Sequence, residues 1–560
     1  MAKHNSQELF SALWSAADVM RSTMSPDVYK DYLLGLIFYK SLSDKTLYKV
    51  VDLLEDRKPQ SLEEAQTIYE NSMNDEENWP TLLEELENDF GCVILPKYTF
   101  TNFYNQINNG DFHLVTLKEA FREVEHPCKR TNNKATELPQ TSQDGTTSAA
   151  QNNDNVYDGL FDDFDIDSKN LGREIQDRNI MIADLIKALT CINFNEYEED
   201  ALGDAYEYLI SQFASESGKK AGEFYTPQAV SKLIARLVTN GREKKNGFSV
   251  YDACCGSGSL LLQIKQYMYK GTSINDDFSR NVQFFGQEKI NQTYNLCRMN
   301  MMLHKITASR QHINLGDTLQ NDWPTEQPTN FDAVVMNPPY SQKWNPAESL
   351  ITDSRFAHYG KLAPKSAADY AFLLHGFYHL KTDGMMGIVL PHGVLFRGAA
   401  EGAAEGVIRK HLLEDGSIYA VIGLPSNLFY NTSIPTTIVV LRKDNAQRDV
   451  LFIDASKDFK KNKTRNELTD EHIEKIFQAF IARKDIEKYA HLASFDEIKE
   501  NDYNLNIPRY VDTFEEEEEI VLDDCFKELA EIDQEELKLN AELNSYFKEL
   551  GLNFTLSQGE

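Results

Sequence analysis

Apolar runs of strand length alternate with helical stretches between residues 248 and 442. Short apolar runs bounded by turn residues are typical of buried strands. Their alternation with helical segments predicts a mostly parallel sheet covered by helices on both faces. The predicted strands are residues 248–253, 282–287, 312–315, 331–336, 387–390, 419–423 and 437–441.

Helical periodicity dominates the chain before this region. Apolar residues recur at helical spacing at Leu13, Ala17, Met20 and Met24, and the pattern continues through residues 29–40. Residues 171–240 also read as helices, whereas residues 129–155 lack periodicity and large apolar side chains. That composition is typical of a disordered loop.

A seven-residue repeat follows Pro508 near the end of the chain. One series is Leu522, Leu529, Glu536, Leu543 and Leu550, and the second is Cys525, Ile532, Leu539 and Tyr546. Such a seam predicts a coiled-coil-like helix that Glu536 interrupts. Two interpretations stay open: the helix packs on its own domain, or it docks against helices of another subunit.

These patterns divide the 560 residues into three expected parts. Residues 1–170 form a helical N-terminal domain with the disordered insertion at 129–155. Residues 171–490 form the α/β domain, and residues 491–560 form a tail and docking helix.

Composition narrows the protein class. Hydrophobic residues make up 41% of the chain, which is enough to build buried cores. No apolar run reaches the roughly 18 residues that cross a membrane, and no secretory leader is apparent, so a cytoplasmic protein without membrane contact is expected. The seven cysteines form no CxxC pair, so neither a metal site nor a disulfide framework is expected.

Charge is strongly negative and unevenly distributed. The net charge of −31 argues against a tight grip on DNA by this chain alone. Residues 51–90 hold 13 acids and 2 bases, and residues 511–560 hold 16 acids and 3 bases, but residues 331–410 hold 7 acids and 8 bases. The acidic segments are either solvated helical faces or surfaces that repel nucleic acid or meet a basic partner.

Asn337-Pro338-Pro339-Tyr340 directly follows the predicted strand 331–336. The two prolines force a turn at the carboxyl end of that strand, where ligands bind in open α/β sheets. Asparagine offers a carbonyl acceptor and an amino donor, and tyrosine offers a flat face for stacking. The turn therefore suits a planar, amino-bearing ring.

The first predicted strand leads into the glycine-rich loop DACCGSGSLLL, residues 252–262. Gly256 and Gly258 allow a tight turn and a close backbone approach at the start of a helix. Leu261 stands where a dinucleotide-binding GxGxxG loop has its third glycine, which argues against a dinucleotide. Cys255 is expected to pack beneath the loop.

An acid follows each of the next two predicted strands. Glu288 is placed to accept both ribose hydroxyls of a nucleoside cofactor, and Asp317 is placed to accept a hydrogen bond from an adenine amino group. Each acid alone reads more readily as an ordinary turn residue. The order of loop, acid, acid and Asn-Pro-Pro-Tyr, each after a strand, favours one shared site.

This order resembles the class I S-adenosylmethionine-dependent methyltransferases that modify amino nitrogens. The loop is similar to their DPACGSGGLL-type cofactor loop and departs from it at Ala253. Phe224-Tyr225-Thr226-Pro227 resembles the aromatic-Thr-Pro motif of the gamma-type adenine enzymes, although it also reads as a helix start capped by Thr226. Asn-Pro-Pro-Tyr is their adenine-N6 form.

Further blocks make the resemblance more specific. Residues 13–18, 32–38, 201–214, 390–398, 422–430 and 501–510 resemble the modification subunits of type I restriction–modification systems. The family implies a Rossmann-like, mostly parallel seven-stranded sheet with an N-terminal helical domain and a C-terminal heptad helix. It implies methyl transfer from S-adenosylmethionine to the N6 of a flipped-out adenine in double-stranded DNA. Its partners are a specificity subunit, a second modification subunit and a restriction subunit.

The resemblance also implies roles for residues of this chain. Target capture and catalysis fall to Asn337, Pro338, Pro339 and Tyr340. Cofactor binding falls to Phe224, Tyr225, Thr226, Pro227, Asp252, Cys255, Gly256, Ser257, Gly258, Glu288 and Asp317.

Three alternatives stay open at this point. A methyltransferase acting on glutamine of a protein also uses Asn-Pro-Pro-Tyr, because an amide nitrogen resembles the adenine amine. A stand-alone DNA methyltransferase would carry its own recognition domain, and no clear second α/β region follows residue 450. A non-catalytic assembly component would not need Asn337, Tyr340, Gly256 and Gly258.

Overall fold

A computed structural model describes residues 6–126, 155–197, 200–216, 225–269, 281–326, 329–400, 402–430, 432–513, 522–552 and 554. Phe224 lies outside these residues, and so does the expected insertion at 129–155 apart from Asn155. The chain divides into two compact units, Met1–Val511 and Asp512–Glu560.

The strands of the first unit confirm the predicted α/β architecture. The seven predicted strands are present as β1 (Ser249–Asp252), β2 (Gln283–Glu288), β3 (Gln311–Leu315), β4 (Phe331–Met336), β5 (Leu380–Pro391), β6 (Ile418–Gly423) and β7 (Thr436–Leu441). Four further strands are β8 (Val450–Asp454), β9 (Lys460–Lys461), β10 (Asn466–Glu467) and β11 (Ala490–Ala493). In the described part of the chain, β8 and β11 extend the main sheet to nine strands, and β9 pairs with β10.

Helices precede and cover this sheet. Before it lie α1 (Ser6–Ala16), α2 (Asp18–Arg21), α3 (Pro26–Glu55), α4 (Leu62–Ser72), α5 (Trp79–Phe90), α6 (Phe100–Asn109), α7 (Leu114–Glu125), α8 (Ile175–Thr190), α9 (Ala201–Glu216) and α10 (Gln228–Thr239). Between and after its strands lie α11 (Ser259–Met268), α12 (Asn291–Leu303), α13 (Asp369–Tyr378), α14 (Ala404–Glu414), α15 (Asp470–Ala482) and α16 (Phe495–Glu500). No helix among the described residues is long and apolar enough to cross a membrane.

The strand order of the main sheet is β11-β8-β6-β7-β5-β4-β1-β2-β3. Strands β1 to β5 pair in parallel, whereas β7 runs antiparallel between β5 and β6. From β1 the chain moves to β2 and β3 on one side, and β4 and β5 lie on the other. This reversal leaves a crevice at the carboxyl ends of β1 and β4, where open sheets bind ligands.

Both faces of the sheet are buried, which explains why its strands read as continuous apolar runs. On β4, Ala333 and Val335 pack in a core with residues of α10, α11 and α15. Val334 and Met336 point to the opposite face and pack with residues of α13 and α14. The prolines that follow then end the strand at the crevice.

A small apolar cluster lies among α3, α4 and α5, but the main core of the N-terminal helices is shared with the sheet region. This main core runs from Leu9 through α9 and includes Leu296, Met299 and Leu303 of α12, a helix of the sheet region. Helix α12 therefore belongs to two layers, because it covers the sheet on one side and completes the core of the helical region on the other.

The second unit contains the predicted C-terminal helix, α17 (Leu522–Glu549). The side chains of residues 522–525 lie outside the described part. Along the rest of the predicted seam the apolar side chains are 43–73% exposed, at Leu529, Ile532, Leu539, Leu543, Tyr546 and Leu550. Large apolar side chains at seven-residue spacing are thus present on a helical surface.

Candidate active site

The predicted site segments meet at the carboxyl edge of the parallel strands. A single pocket is lined by residues from three of them: Tyr225, Thr226, Asp252, Cys254, Cys255, Gly256, Ser257, Ser259, Leu260 and Asn337. The glycine-rich loop, the 225–227 segment and the start of the Asn-Pro-Pro-Tyr turn therefore share one cavity, although they lie far apart in sequence.

The amide of Asn337 is held from both sides. Its Nδ2 donates to the hydroxyl of Thr226 at 3.1 Å, and its Oδ1 accepts from the hydroxyl of Tyr340 at 2.7 Å. The side chain is only 6% exposed. These contacts fix which end of the amide is the acceptor, so Asn337 presents a carbonyl oxygen next to the ring of Tyr340.

Thr226 does not act as a helix cap. Helix α10 begins at Gln228 with Pro227 at its N-cap position and no capping side chain. The interpretation of this motif as a simple helix start is therefore wrong for Thr226, whose hydroxyl contacts Asn337 instead.

The ring of Tyr340 lies near a second aromatic ring. Phe429 stands edge-on to it, with centroids 5.9 Å apart and planes at 79°. Phe429 is 2% exposed and lies in the 422–430 block. The family resemblance includes this block, but the sequence did not predict Phe429 as a site residue, because a lone phenylalanine after a strand reads as core.

The residue after the turn is held in an unusual backbone conformation. Ser341 has φ of +51°, which side chains other than glycine rarely adopt. Its N–H donates to Asp369 Oδ1 at 2.8 Å, and Asp369 is fully buried. Arg397 pairs with the other oxygen of Asp369 and, at 3.0 Å, with Glu405. This ion-pair network fixes the exit of the turn and hence the position of Tyr340.

The glycine-rich loop has the backbone that its glycines predict. Gly256 and Gly258 have φ of +53° and +83°, and α11 begins directly afterwards. A Cβ atom on Gly258 would lie 3.0 Å from the Cys297 sulfur, so the position has little room for a side chain. Asn300 donates to the carbonyl of Ser257 at 2.9 Å and supports the loop from α12.

Two buried polar atoms of the loop have no partner among the described residues, namely Asp252 Oδ2 and Ser257 Oγ. Asp252 Oδ1 accepts from the N–H of Cys254 at 3.0 Å, and burial raises the pKa of Asp252 to about 8. Both residues line the shared pocket. An unpaired carboxyl oxygen and an unpaired hydroxyl fit the charged amino-acid end of S-adenosylmethionine, the cofactor expected from the sequence.

Glu288 and Asp317 lie at the ends of β2 and β3 but do not line this pocket. Glu288 accepts from the N–H groups of Gly256, Lys289 and Ile290 at 3.1, 2.8 and 2.9 Å. Burial nevertheless raises its pKa. Asp317 is 25% exposed and pairs with Lys289 at 2.9 Å. Their expected contacts with ribose and adenine stay predictions.

Cys255 packs under the loop as expected. It is 5% exposed, and its sulfur would meet a Cβ atom on Gly286 at 3.0 Å. The neighbouring thiol of Cys297, together with burial, holds the pKa of Cys255 well above its usual range. The thiol is therefore protonated at neutral pH and is a poor nucleophile.

A cluster of metal-type ligands lies on the other side of β1. Ligand atoms of Asp322, His375 and His379 lie within 4.8 Å of one another. The guanidinium of Arg355 approaches His375 Nδ1 to 3.1 Å and Asp322 Oδ1 to 3.9 Å. Because this guanidinium already supplies a positive charge, the cluster reads as a buried polar network rather than a metal site.

Glu207 is a further site neighbour that sequence reasoning did not single out. It lies in the 201–214 block, and its buried carboxylate contacts Ser259 and Tyr225. An acid among the buried apolar residues of this helix was the available signal.

Both halves of the chain match models of known protein families. A model for N-6 DNA methylases matches residues 197–519, and a model for the HsdM N-terminal domain matches residues 9–189. The MpnII type I restriction enzyme methylase subunit of Mycoplasma pneumoniae is 35% identical, with 97% of this chain and 96% of the relative aligned. The MjaVIII methylase subunit of Methanocaldococcus jannaschii is 31% identical over 98% and 85% of the two chains.

Solved structures agree with these relatives. The type I restriction-modification methyltransferase subunit of Streptococcus thermophilus superimposes with a TM-score of 0.82 at 50% identity, over 91% of this chain and all of the other. A chain from a study of the assembly and conformational transition of the type I system shares the fold, with a TM-score of 0.55 at 19% identity, over 96% and 97% of the two chains.

Proposed function

The chain belongs to the methylase subunits of type I restriction enzymes, and from this premise we propose that residues 337–340 capture the target adenine. The protein is an adenine-specific DNA methyltransferase. It transfers a methyl group from S-adenosylmethionine to the N6 of adenine as the modification subunit of a restriction–modification complex.

One observation carries the assignment of residues. The amide of Asn337 is oriented by Thr226 and Tyr340 in a pocket that it shares with the glycine-rich loop. A methyl donor held by the loop and an amino group held by Asn337 would therefore meet in one cavity. Placing the two reactants in one orientation supplies much of the acceleration of such a reaction.

The adenine amine is a weak nucleophile and cannot be reached while its base is stacked in a duplex. The base must be flipped out, at a cost of about a few kcal/mol. Stacking of the base on Tyr340 offsets roughly 1–3 kcal/mol of that cost. Asn337 Oδ1 and the carbonyl of Pro338 accept the two amino hydrogens, which directs the nitrogen lone pair toward the donor, and Pro339 fixes the turn.

S-adenosylmethionine supplies an activated methyl group on a positively charged sulfur. The 225–227 segment, Asp252 and loop residues 255–258 would hold its amino-acid end, with Phe224 as a further expected contact. Glu288 would accept from the ribose, and Asp317 would accept from the adenine. No protein nucleophile is required, which agrees with the protonated thiol of Cys255.

The enzyme works with partners. These are double-stranded DNA, a specificity subunit, a second modification subunit and a restriction subunit. We propose residues 1–170 as the helical domain, residues 171–490 as the catalytic domain, and residues 491–560 as the docking tail. We propose that the protein acts in the cytoplasm on the DNA of its host cell.

The assignment is tested by the Asn337→Ala variant of the full chain with its specificity subunit. We expect methyl transfer from tritiated cofactor to DNA to fall by about 100-fold or more, because the amine loses its main acceptor. Cofactor affinity, measured by calorimetry, should stay within about threefold of wild type. The control is Asn179→Ala, which removes a half-buried structural amide that bonds Leu114 and Phe112.

Near-normal transfer by Asn337→Ala would refute the assignment of this residue. Tyr340→Ala should lose base capture. Tyr340→Phe should be mild, because it keeps the stacking ring while Thr226 still orients the Asn337 amide, and equal losses would argue against stacking. Transfer to DNA that needs the specificity subunit separates this function from a stand-alone enzyme. Transfer to protein instead of DNA would indicate a glutamine methyltransferase.

A further inference from the structure

Glu207 connects the helical region to the candidate cofactor site. It lies on α9 and is 3% exposed. Its Oε1 accepts from the Ser259 hydroxyl at 2.8 Å and from the Tyr225 hydroxyl at 3.3 Å. One carboxylate oxygen thus binds two segments that meet at the pocket.

The two donors occupy sensitive positions. Ser259 is the first residue of α11, directly after Gly258 of the glycine-rich loop. Tyr225 precedes Thr226, whose hydroxyl orients Asn337. A shift of either donor would therefore change the shape of the cofactor pocket, which both residues line.

Helix α9 is itself anchored on both sides. A Cβ atom on Gly203 would lie 2.8 Å from the ring of His304, so the helix packs directly on the residue that follows α12. The hydroxyl of Tyr206 lies 3.5 Å from both the carbonyl of Leu34 and the sulfur of Met299. Glu207 thus projects from a fixed element and not from a loop.

Tyr225 is 6% exposed and packs edge-on against Tyr430, with ring centroids 5.8 Å apart. Besides the cofactor pocket, it borders a cavity of about 760 Å³ between α9, α10 and the segment around Tyr430. A tyrosine in a close-packed core is held by its neighbours, whereas one beside a cavity has fewer contacts to restrain it. Packing against Tyr430 restrains the ring, and the hydrogen bond to Glu207 fixes the position of its hydroxyl.

Burying a carboxyl group costs free energy, because its charged form loses the solvation by water. Burial raises the pKa of Glu207 to about 7, so the group is partly protonated at neutral pH. An apolar side chain would pack there without this penalty. Perturbed acids of this kind concentrate at functional sites.

We propose that Glu207 is a positioning residue through which the helical region preforms the cofactor pocket. It acts by accepting from Ser259 and Tyr225 and makes no contact with the reacting atoms. The inference rests on the proposed function, since the pocket matters only if the chain binds S-adenosylmethionine.

The test compares Glu207→Ala and Glu207→Gln in the full chain with its specificity subunit. Glutamine keeps an acceptor oxygen at nearly the same place, so it should rescue most of the effect. The matched control is Glu125→Gln, because Glu125 is also a buried acid of the helical region, where it accepts from the N–H of Phe161 at 2.7 Å.

Glu207→Ala should raise both the Kd and the KM for S-adenosylmethionine by about tenfold, since two buried donors lose their acceptor. At saturating cofactor, kcat should stay within about threefold of wild type. Glu207→Gln should return both constants to within about threefold, and Glu125→Gln should leave them unchanged. A general loss of stability would not produce this split between KM and kcat.

Equal cofactor constants in Glu207→Ala and wild type would overturn the inference, and so would equal shifts in Glu207→Ala and Glu125→Gln. If Glu207→Ala does not fold, Tyr225→Phe and Ser259→Ala replace it in the test. Each removes one donor, so each should raise the Kd and the KM for S-adenosylmethionine by a smaller factor. Failure of the wild-type chain to bind S-adenosylmethionine would instead refute the proposed function.

Discussion

The hydroxyl of Thr226 accepts from Asn337 Nδ2, and in the proposed function this contact decides which end of the amide faces the adenine. Thr226→Val keeps the shape of the side chain but removes the acceptor for Asn337 Nδ2. Leaving this buried donor unpaired costs about 1–3 kcal/mol, which favours a turned amide. We expect kcat for DNA methylation, measured at saturating cofactor, to fall about tenfold or more, in addition to any loss of cofactor affinity.

The matched control for this prediction is Thr239→Val. Thr239 is also a buried threonine, and its hydroxyl donates to the carbonyl of Ala235 within α10 at 2.7 Å. A similar drop in kcat for both variants would mean that Thr226 serves only packing.

Asp252 predicts a pH dependence of cofactor binding. Its pKa of about 8 means that the free enzyme holds this group mainly protonated at pH 7. A positively charged cofactor favours the carboxylate, so binding should release a proton. Affinity should rise with pH, by up to about tenfold per pH unit below pH 8, and level off above it.

Calorimetry in two buffers of different ionisation enthalpy measures this proton release. Asp252→Asn should lower affinity and remove most of the release. The amino group of the cofactor titrates alike with both proteins, so their difference reports Asp252. An unchanged proton count in the variant would exclude Asp252 from the pocket.

At this scale the sequence identified residue types better than residue contacts. Asn337, Thr226 and Asp252 were all expected near the site. The bond between Thr226 and Asn337 was not, because it joins residues 111 positions apart that only the folded sheet brings together. The sequence therefore predicted Thr226 as a site residue, but not its hydrogen bond to Asn337.

The exposed seven-residue seam of helix α17 leads to a prediction about binding to the specificity subunit. Leu539 lies on the seven-residue seam, whereas Leu537 lies off it, and the two side chains are similarly exposed at 54% and 46%. Leu539→Glu should weaken binding to the specificity subunit about tenfold or more, and Leu537→Glu should have little effect. Co-purification and sedimentation of the mixed subunits measure this difference.

Equal binding by the two variants would argue that the seam does not dock. Thermal unfolding of both should match wild type, since each change lies on an exposed surface. A large loss of stability in Leu539→Glu alone would instead favour a helix that packs on its own chain.

Strand prediction found the seven strands between residues 248 and 442 and missed β8 and β11 after them. Strands β1, β4 and β7 are buried along their whole length, so their sequences carry a strong signal. Strand β11 (Ala490–Ala493) has four residues, including His491, and no periodicity. It pairs antiparallel with β8, and this tertiary contact, not local propensity, defines it.

For the whole molecule, the shared core predicts the result of truncation. Removing residues 1–170 would expose Leu296, Met299 and Leu303 of α12, which belong to the core of the helical region. We expect residues 171–560 to aggregate, because a contiguous apolar surface would be left uncovered.

The comparison is a chain ending at residue 511, which keeps the whole first unit. It should remain monodisperse and unfold near the wild-type temperature, as judged by size-exclusion chromatography and circular dichroism. A soluble, cooperatively folded 171–560 fragment would contradict the shared core. Sequence periodicity predicted the N-terminal helices but not this sharing, since contacts between distant segments leave no local pattern.

The hydrogen bond from Tyr340 to Asn337 has a consequence for turnover. Without DNA, the buried Asn337 Oδ1 already accepts a hydrogen bond from the Tyr340 hydroxyl. If Asn337 captures the adenine as proposed, the incoming amine would replace the Tyr340 hydroxyl at this oxygen, so the number of hydrogen bonds to it would stay nearly constant. The oxygen would then need no water on substrate entry, and product release would return it to the Tyr340 hydroxyl.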